Sequence, residues 1–300
     1  MKPPRVAEWR SDAARQRFIE MEDELWRERW PEPPVALDVD SYAGTTRVYR
    51  WPGMGEPIVF LHGMGGTGLS WSPYVEALAG RDLYAVDTIG DVGRSQQRAV
   101  IEDANGLATW LAETLTDCGI ERAHVVGTSY GGFIALSLAV HAGARVSSLT
   151  LIDSAGLAPF RLGRFMLWGL PNLFGSLAPG PLRRRLARRR PLLEDPRIMR
   201  IALHAQMNHP FRLPGAELLT DEELTSITVP TVVIVAGKSA PFAPQIQGER
   251  AGLIPNANVE IIRGARHDLS WSHVDHCVAY LSRIATQPRP GDRGQSRIAR

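Results

Sequence analysis

Cysteine is scarce. Cys118 and Cys277 are the two in 300 residues, and neither stands in a CxxC or a Cys/His spacing. That excludes a disulfide-stapled scaffold and a thiolate metal site, and leaves two free, buried thiols as the expectation. Long hydrophobic runs are missing as well. No stretch approaches the roughly eighteen apolar residues that a membrane-crossing helix needs, and the opening MKPPRVAEWRSDAARQRF has no apolar core of the kind an export signal carries. A cytoplasmic protein with no membrane partner is therefore expected. An overall excess of one charge is absent too, with 34 Lys and Arg against 32 Asp and Glu. A further gap is local: AGKSAPFAP, residues 236–244, follows the apolar run TVVIV and holds no Asp or Glu.

What the chain does hold, 44% hydrophobic and 22% charged residues, suits one large α/β domain or a domain with an insertion. Short apolar runs alternate with helical patterns, the mark of βαβ units and a mostly parallel sheet. The strand-like runs are VALDVD (35–40), TTRVYRW (45–51), PIVFL (57–61), LYAVD (83–87), HVVG (124–127), SLTLID (148–153), TVVIVA (231–236) and NVEIIR (258–263). The short apolar runs from PIVFL onward are expected to be buried on both faces. Helical patterns are read over roughly 5–30, 70–79, 103–117, 130–142, 245–253 and 271–285.

The interval 157–226 breaks this rhythm: it has no strand pattern and is rich in Pro, Arg and large apolar residues, among them Phe160, Phe165, Met166, Trp168, Leu170 and Phe174. It reads as a helical insertion over one end of the sheet. Ten arginines fall between 157 and 200 against Glu194 and Asp195. Their centre, RRRLARRR (183–190), has no aromatic interleaving and no nucleic-acid motif beside it, so it is read as a solvated helix face and no nucleic-acid partner is expected. The expected division is an N-terminal helical extension (1–34), a core (35–156 and 227–285), the insertion (157–226) and a disordered tail (286–300).

The chemistry concentrates at strand ends. In HVVGTSYGGFIALSLAV the strand stops at Gly127, Ser129 stands between Gly127 and Gly131, and a helix begins at once. This is G-x-S-x-G in the strand, turn, helix context that thrusts a serine hydroxyl out at the carboxyl edge of a sheet. Upstream, PIVFLHGMGGTGLSW places His62-Gly63-Met64-Gly65 just past a buried strand, where glycines let backbone N–H groups turn toward an oxyanion. VDTIGDVGRS, with Asp87, Gly90, Gly93 and Ser95, marks a shaped loop. NVEIIRGARHDLSW puts His267 on the loop after the last strand.

In this order and spacing the four segments resemble the α/β-hydrolase family, over about 35–156 and 227–285, and most closely bacterial, especially actinobacterial, carboxylesterase-like members. The resemblance implies a mostly parallel eight-stranded sheet with helices on both faces and a helical cap after strand six. It implies Ser129 as nucleophile, His267 as general base, and the backbone N–H groups of Met64 and Tyr130 as the oxyanion hole. Family members usually carry the triad's acid on the loop after strand seven, and this is where the carboxylate-free AGKSAPFAP lies; Ala240 stands at the expected position. Three explanations remain open. The acid has moved to Asp153 at the end of strand six, 24 residues beyond Ser129; or Glu249 or Asp268 substitutes; or the chain works as a Ser-His dyad, or hardly at all.

The expectation is a cofactor-independent, metal-free serine hydrolase of carboxylic esters with small to medium hydrophobic groups, acting through an acyl-enzyme. Thioesterase, lactonase, carbon-carbon bond hydrolase and acyltransferase chemistry fit the same motif, and a ligand-binding homologue with a decayed triad is the rival from another class. Trp71, Met207 and Phe211 join the insertion's apolar residues as candidates for lining a pocket or packing the insertion down.

Overall fold

The computed structural model describes residues 6–30, 32–188 and 190–285; the stretch 286–300 lies outside them. In chain order the elements are α1 (Asp12–Arg29), β1 (Val35–Ser41), β2 (Gly44–Trp51), β3 (Met54–Leu61), α2 (Ser72–Ala77), β4 (Arg81–Val86), β5 (Gln96–Gln97), α3 (Ala104–Asp117), β6 (Ala123–Thr128), α4 (Tyr130–His141) and β7 (Val146–Ile152). There follow α5 (Leu162–Ser176), α6 (Gly180–Ala187), α7 (Pro196–Asn208), α8 (Asp221–Ser226), β8 (Thr231–Ala236), α9 (Pro244–Ala251), β9 (Ala257–Ile262), α10 (Leu269–Ser272) and α11 (Val274–Ala285).

The sheet runs β1-β2-β4-β3-β6-β7-β8-β9. β1, β2 and β4 pair antiparallel, and every pairing from β4 to β9 is parallel. The eight expected strands are all present. A ninth, the two-residue β5, pairs with β2 and was not foreseen, because Gln-Gln carries no apolar signal.

Two apolar layers follow from the pleat, since successive side chains point to opposite faces. Val59 and Leu61 of β3 join Leu107 and Trp110 of α3 and Ile134 of α4 on one side. Ile58 and Phe60 join Phe18 and Leu25 of α1, Tyr74 of α2 and Leu281 of α11 on the other. β3, β6, β7 and β8 are buried as expected where they cross the centre. β9 corrects the expectation of burial on both faces: it is the edge strand, and its Ile261 is exposed.

Register sets the site. Leu61 aligns with Gly127, Thr128 with Ile152, and Ile152 with Ile234. The residues just past these strands therefore emerge side by side at one carboxyl edge, the place where open α/β sheets bind ligands. Between β7 and β8 the described residues form α5 to α8 and no strand. α1 packs on α7 across this edge, with His204 Nε2 2.8 Å from the Ala14 carbonyl oxygen. Helix α1 is capped by the Ser11 hydroxyl, which accepts the Ala14 N–H. Its buried face repeats at helical spacing, Phe18, Glu22, Leu25 and Trp26, so a carboxylate is carried inward with the apolar residues.

Candidate active site

Ser129 sits in the turn from β6 to α4 with φ 52° and ψ −118°, a conformation L-residues rarely adopt. Its flanking glycines are sterically required. A Cβ at Gly127 would lie 2.3 Å from the Gly131 carbonyl oxygen, and one at Gly131 would lie 2.2 Å from that of Leu61. Backbone bonds hold the turn: the Ser129 N–H donates to the Ile152 carbonyl at 3.1 Å, and the Ser129 carbonyl accepts the Ala155 N–H at 2.9 Å. Asp153, between those two partners, is the other non-glycine residue at positive φ, 42°. Strain of this kind, about 1–3 kcal/mol per residue, persists where surrounding contacts over-determine it.

The structure brings together Ser129, His267 and Asp153. His267 Nε2 is 3.1 Å from Ser129 Oγ, and His267 Nδ1 is 2.6 Å from Asp153 Oδ2. Asp153 is fully buried, where an unpaired carboxylate would be costly. Three groups donate to it: the imidazole Nδ1–H and the Ser239 hydroxyl (2.7 Å) to Oδ2, and the Ala236 N–H (3.2 Å) to Oδ1. This arrangement places the Nδ1–H toward the carboxylate and leaves Nε2 to accept from the serine. Glu249 is exposed on α9. Asp268 lines the cavity beside the imidazole without a hydrogen bond to it among the described residues, and burial raises its pKa. Of the three candidate carboxylates, Asp153 is the one in contact with His267.

Ser239 was missed by sequence reading. It lies within AGKSAPFAP, so the loop that lacks a carboxylate instead supplies a donor to the carboxylate of its neighbour. Nothing in a serine three residues past a strand announces that role.

Opposite Ser129, the loop after β3 is held in a turn: the Gly66 N–H donates to the Gly63 carbonyl, and a Cβ at Gly63 would lie 3.2 Å from Ser129 Cβ. Buried His62 fixes the loop further. Its Nε2 accepts the Thr88 N–H at 3.0 Å, so its Nδ1–H donates to the Gly63 carbonyl at 2.9 Å. Asp91 accepts the Gly65 N–H at 2.9 Å and the Val92 N–H at 2.7 Å. Its burial pushes its pKa up to about 6, with His62 and these N–H groups opposing. Asp87 accepts the Gly68 and Arg94 N–H groups. The Met64 and Tyr130 N–H groups engage no acceptor among the described residues.

Behind this loop stands buried Glu22 of α1, paired with Arg94 at 3.1 Å. Burial and nearby Asp87 raise its pKa to about 7, with Arg94 opposing. Its helical spacing from Phe18 and Leu25 is a sign of burial legible in the sequence.

A cavity of about 510 Å³ opens over Ser129 and is lined by Trp71, Phe160, Phe165, Trp168, Phe211 and Phe242 among others. The rings of Phe165, Trp168 and Phe242 meet the His267 imidazole edge-on at centroid distances of 6.0, 5.6 and 5.7 Å. Asp268 is the one carboxylate among the described lining residues, and no Lys or Arg lines the cavity. The insertion's apolar residues thus divide. Phe160, Phe165 and Trp168 reach the cavity, whereas Met166, Leu170, Phe174 and Met207 are exposed. Among the described residues no cluster of metal-ligating side chains is present, and Cys118 and Cys277 are free.

A sheet of this topology, with a strained serine after its fifth long strand and a histidine after its last, defines a class, and comparison with known proteins gives that class its name. Residues 58–282 match the model of the alpha/beta hydrolase family, and the chain belongs to that family. It is similar to the carboxylesterase YbfK of Bacillus subtilis, 26% identical over 257 residues that cover 82% of this chain and 86% of the relative. The crystal structure of naproxen esterase (carboxylesterase NP) from Bacillus subtilis shares the fold at TM-score 0.77 and 23% identity, covering 91% of this chain and 98% of that one. A meta-cleavage product hydrolase from Pseudomonas fluorescens IP01 does so at TM-score 0.65 and 19% identity, covering 80% and 94%.

Proposed function

We propose that the protein is a serine hydrolase of neutral, hydrophobic carboxylic esters, acting through an acyl-enzyme. The observation that carries this reading is the continuous contact from Ser129 Oγ through the His267 ring to Asp153. Its similarity to a carboxylesterase supports esters over other acyl substrates.

In this mechanism His267 Nε2 takes the Ser129 proton as Oγ attacks the ester carbonyl carbon. The carbonyl oxygen becomes an oxyanion held by the Met64 and Tyr130 N–H groups, Tyr130 standing at the positive end of α4. Asp153 stabilises the imidazolium through Nδ1–H, and Nε2–H then protonates the departing alcohol. Water enters, gives a proton to His267 and attacks the acyl carbon; His267 then returns the proton to Ser129 Oγ as the acyl bond breaks and the acid leaves. No step needs a metal or cofactor.

A wall of aromatic rings without cations favours an uncharged acyl or alkoxy group filling much of the 510 Å³. The arginines of 157–200, considered as attractors of an anionic substrate, are absent from the cavity's lining among the described residues. The interval 157–226 acts in this reading as a cap whose inner face shapes the substrate pocket.

Fluorophosphonate labelling tests the proposal. The wild-type chain should be modified at Ser129 and lose ester turnover, while Ser129→Ala should escape modification. A wild-type protein that binds hydrophobic esters yet resists both labelling and turnover would instead be a ligand-binding homologue.

A further inference from the structure

A helix that packs by one face is expected to be polar on the other. α5 departs from this rule. Its inner positions Phe165 and Trp168 line the cavity, yet its outer positions are also apolar. Met166, Leu167, Leu170, Phe174 and Leu177 recur at helical spacing along α5 and its C-cap, and Leu167, Phe174 and Leu177 are 70%, 66% and 73% exposed. Of the eighteen exposed large hydrophobic side chains among the described residues, nine lie within residues 160–186, so the patch is a concentration and not ordinary scatter. Neighbouring α6 adds exposed Leu182 and Leu186 together with Arg184, Arg185 and Arg188.

These three arginines form no ion pair among the described residues. Asp195 is already engaged by Arg197 and Arg29. Glu194 lies in the same shallow groove as the arginines without closing a salt bridge to them.

We propose that the outer face of α5 and α6 is a docking surface for an anionic lipid bilayer. Apolar side chains in a stripe beside unpaired arginines match the two layers of such a surface, acyl chains below and phosphate headgroups above. A second copy of the chain fits less well, because a two-fold contact would gather the α6 arginines of both copies into one interface with Glu194 the one acid lining their groove among the described residues. A nucleic acid would satisfy the arginines and leave the stripe in water. The arginine run is then more than the solvated helix face read from sequence. The expected absence of a membrane partner rested on the lack of a spanning segment, which a surface of this kind does not need. If the hydrolase reading holds, docking would set one wall of the ester cavity against the phase in which hydrophobic esters concentrate, but the docking itself does not depend on catalysis.

Co-sedimentation of the full chain with vesicles tests this. Binding is expected to vesicles of phosphatidylcholine mixed with phosphatidylglycerol, much less to phosphatidylcholine alone, and to weaken as salt is raised. Neutralising Arg184, Arg185 and Arg188 to Gln should cost about fivefold each, on the order of a hundredfold together. The triple change Leu167→Ser, Phe174→Ser and Leu177→Ser should abolish sedimentation, and both variants should still hydrolyse a soluble short-chain ester at the wild-type rate, which also reports folding. Ser129→Ala should sediment like the wild type, separating this surface from the hydrolytic reading. Failure of the wild type to sediment with either vesicle, or unaltered binding by both variants, would overturn the proposal. So would a dimer in light scattering that the Leu167, Phe174 and Leu177 triple variant dissociates, which would assign the surface to a second copy.

Discussion

Two neighbouring loops divide between them what one loop was expected to provide. The loop after β7 presents the carboxylate, Asp153, from a residue at positive φ. The loop after β8 presents no acid, but Ser239 and the Ala236 N–H donate to that carboxylate. The comparison teaches that an imidazole needs a carboxylate at a point in space, and that adjacent parallel strands give two chain positions from which to reach it. It also explains why a sequence gap at 236–244 is not a gap in the site.

The division can be tested by attacking each loop in turn. Asp153→Asn should have the largest effect, lowering ester turnover by about three to four orders of magnitude with the fold intact, because an amide no longer holds the useful tautomer or offsets the imidazolium charge. Steady-state kinetics together with circular dichroism check it, and a loss under about tenfold would remove Asp153 from the mechanism. Adding Ala240→Asp to Asp153→Ala asks whether the second loop can take over: turnover should recover by about tenfold or more over the single variant. No recovery would mean that the β8 loop cannot bring an acid to His267.

Ser239→Ala deletes one donor to a buried charge, worth about 1.5 kcal/mol, and should lower kcat about tenfold with KM little changed. The smallest effect is expected behind the loop after β3. The Glu22 carboxyl rises from 4.5 to about 7 in the fold, so the native state keeps a proton that the unfolded chain has already lost. Stability contributed by the protonated form is complete below about pH 4.5 and is lost as pH rises toward about 7, with a slope of at most about 1.4 kcal/mol per pH unit. Glu22→Gln mimics the protonated acid and should flatten urea-midpoint differences between about pH 5 and about pH 7, leaving the part due to Asp91.

Much of this was legible from local pattern. Gly127, Ser129 and Gly131 specify their turn because a Cβ at either glycine meets backbone, and the buried strands declare themselves by composition. Asp153 was legible as a candidate because strand ends are countable, but its preference over Glu249 and Asp268 required coordinates. Ser239 was illegible, since its function is a distance to a residue 86 positions away. The exposure of β9 was hidden for a related reason: edge position depends on strand order, which the sequence of an individual strand does not carry. α5 misled in another way, because apolar residues on both faces look alike in sequence whether they face a cavity or solvent.

The backbone bonds from Ser129 to Ile152 and from Ala155 to Ser129 make the bend that carries Ser129 and the bend that carries Asp153 one bracket bolted to the sheet. The described residues of 157–226, and Phe242 beyond Ser239, hang outside that bracket. On the proposed hydrolase reading, substrate preference can therefore drift, or be engineered, by rewriting those peripheral positions while the spacing of Ser129, His267 and Asp153 stays inherited from the frame.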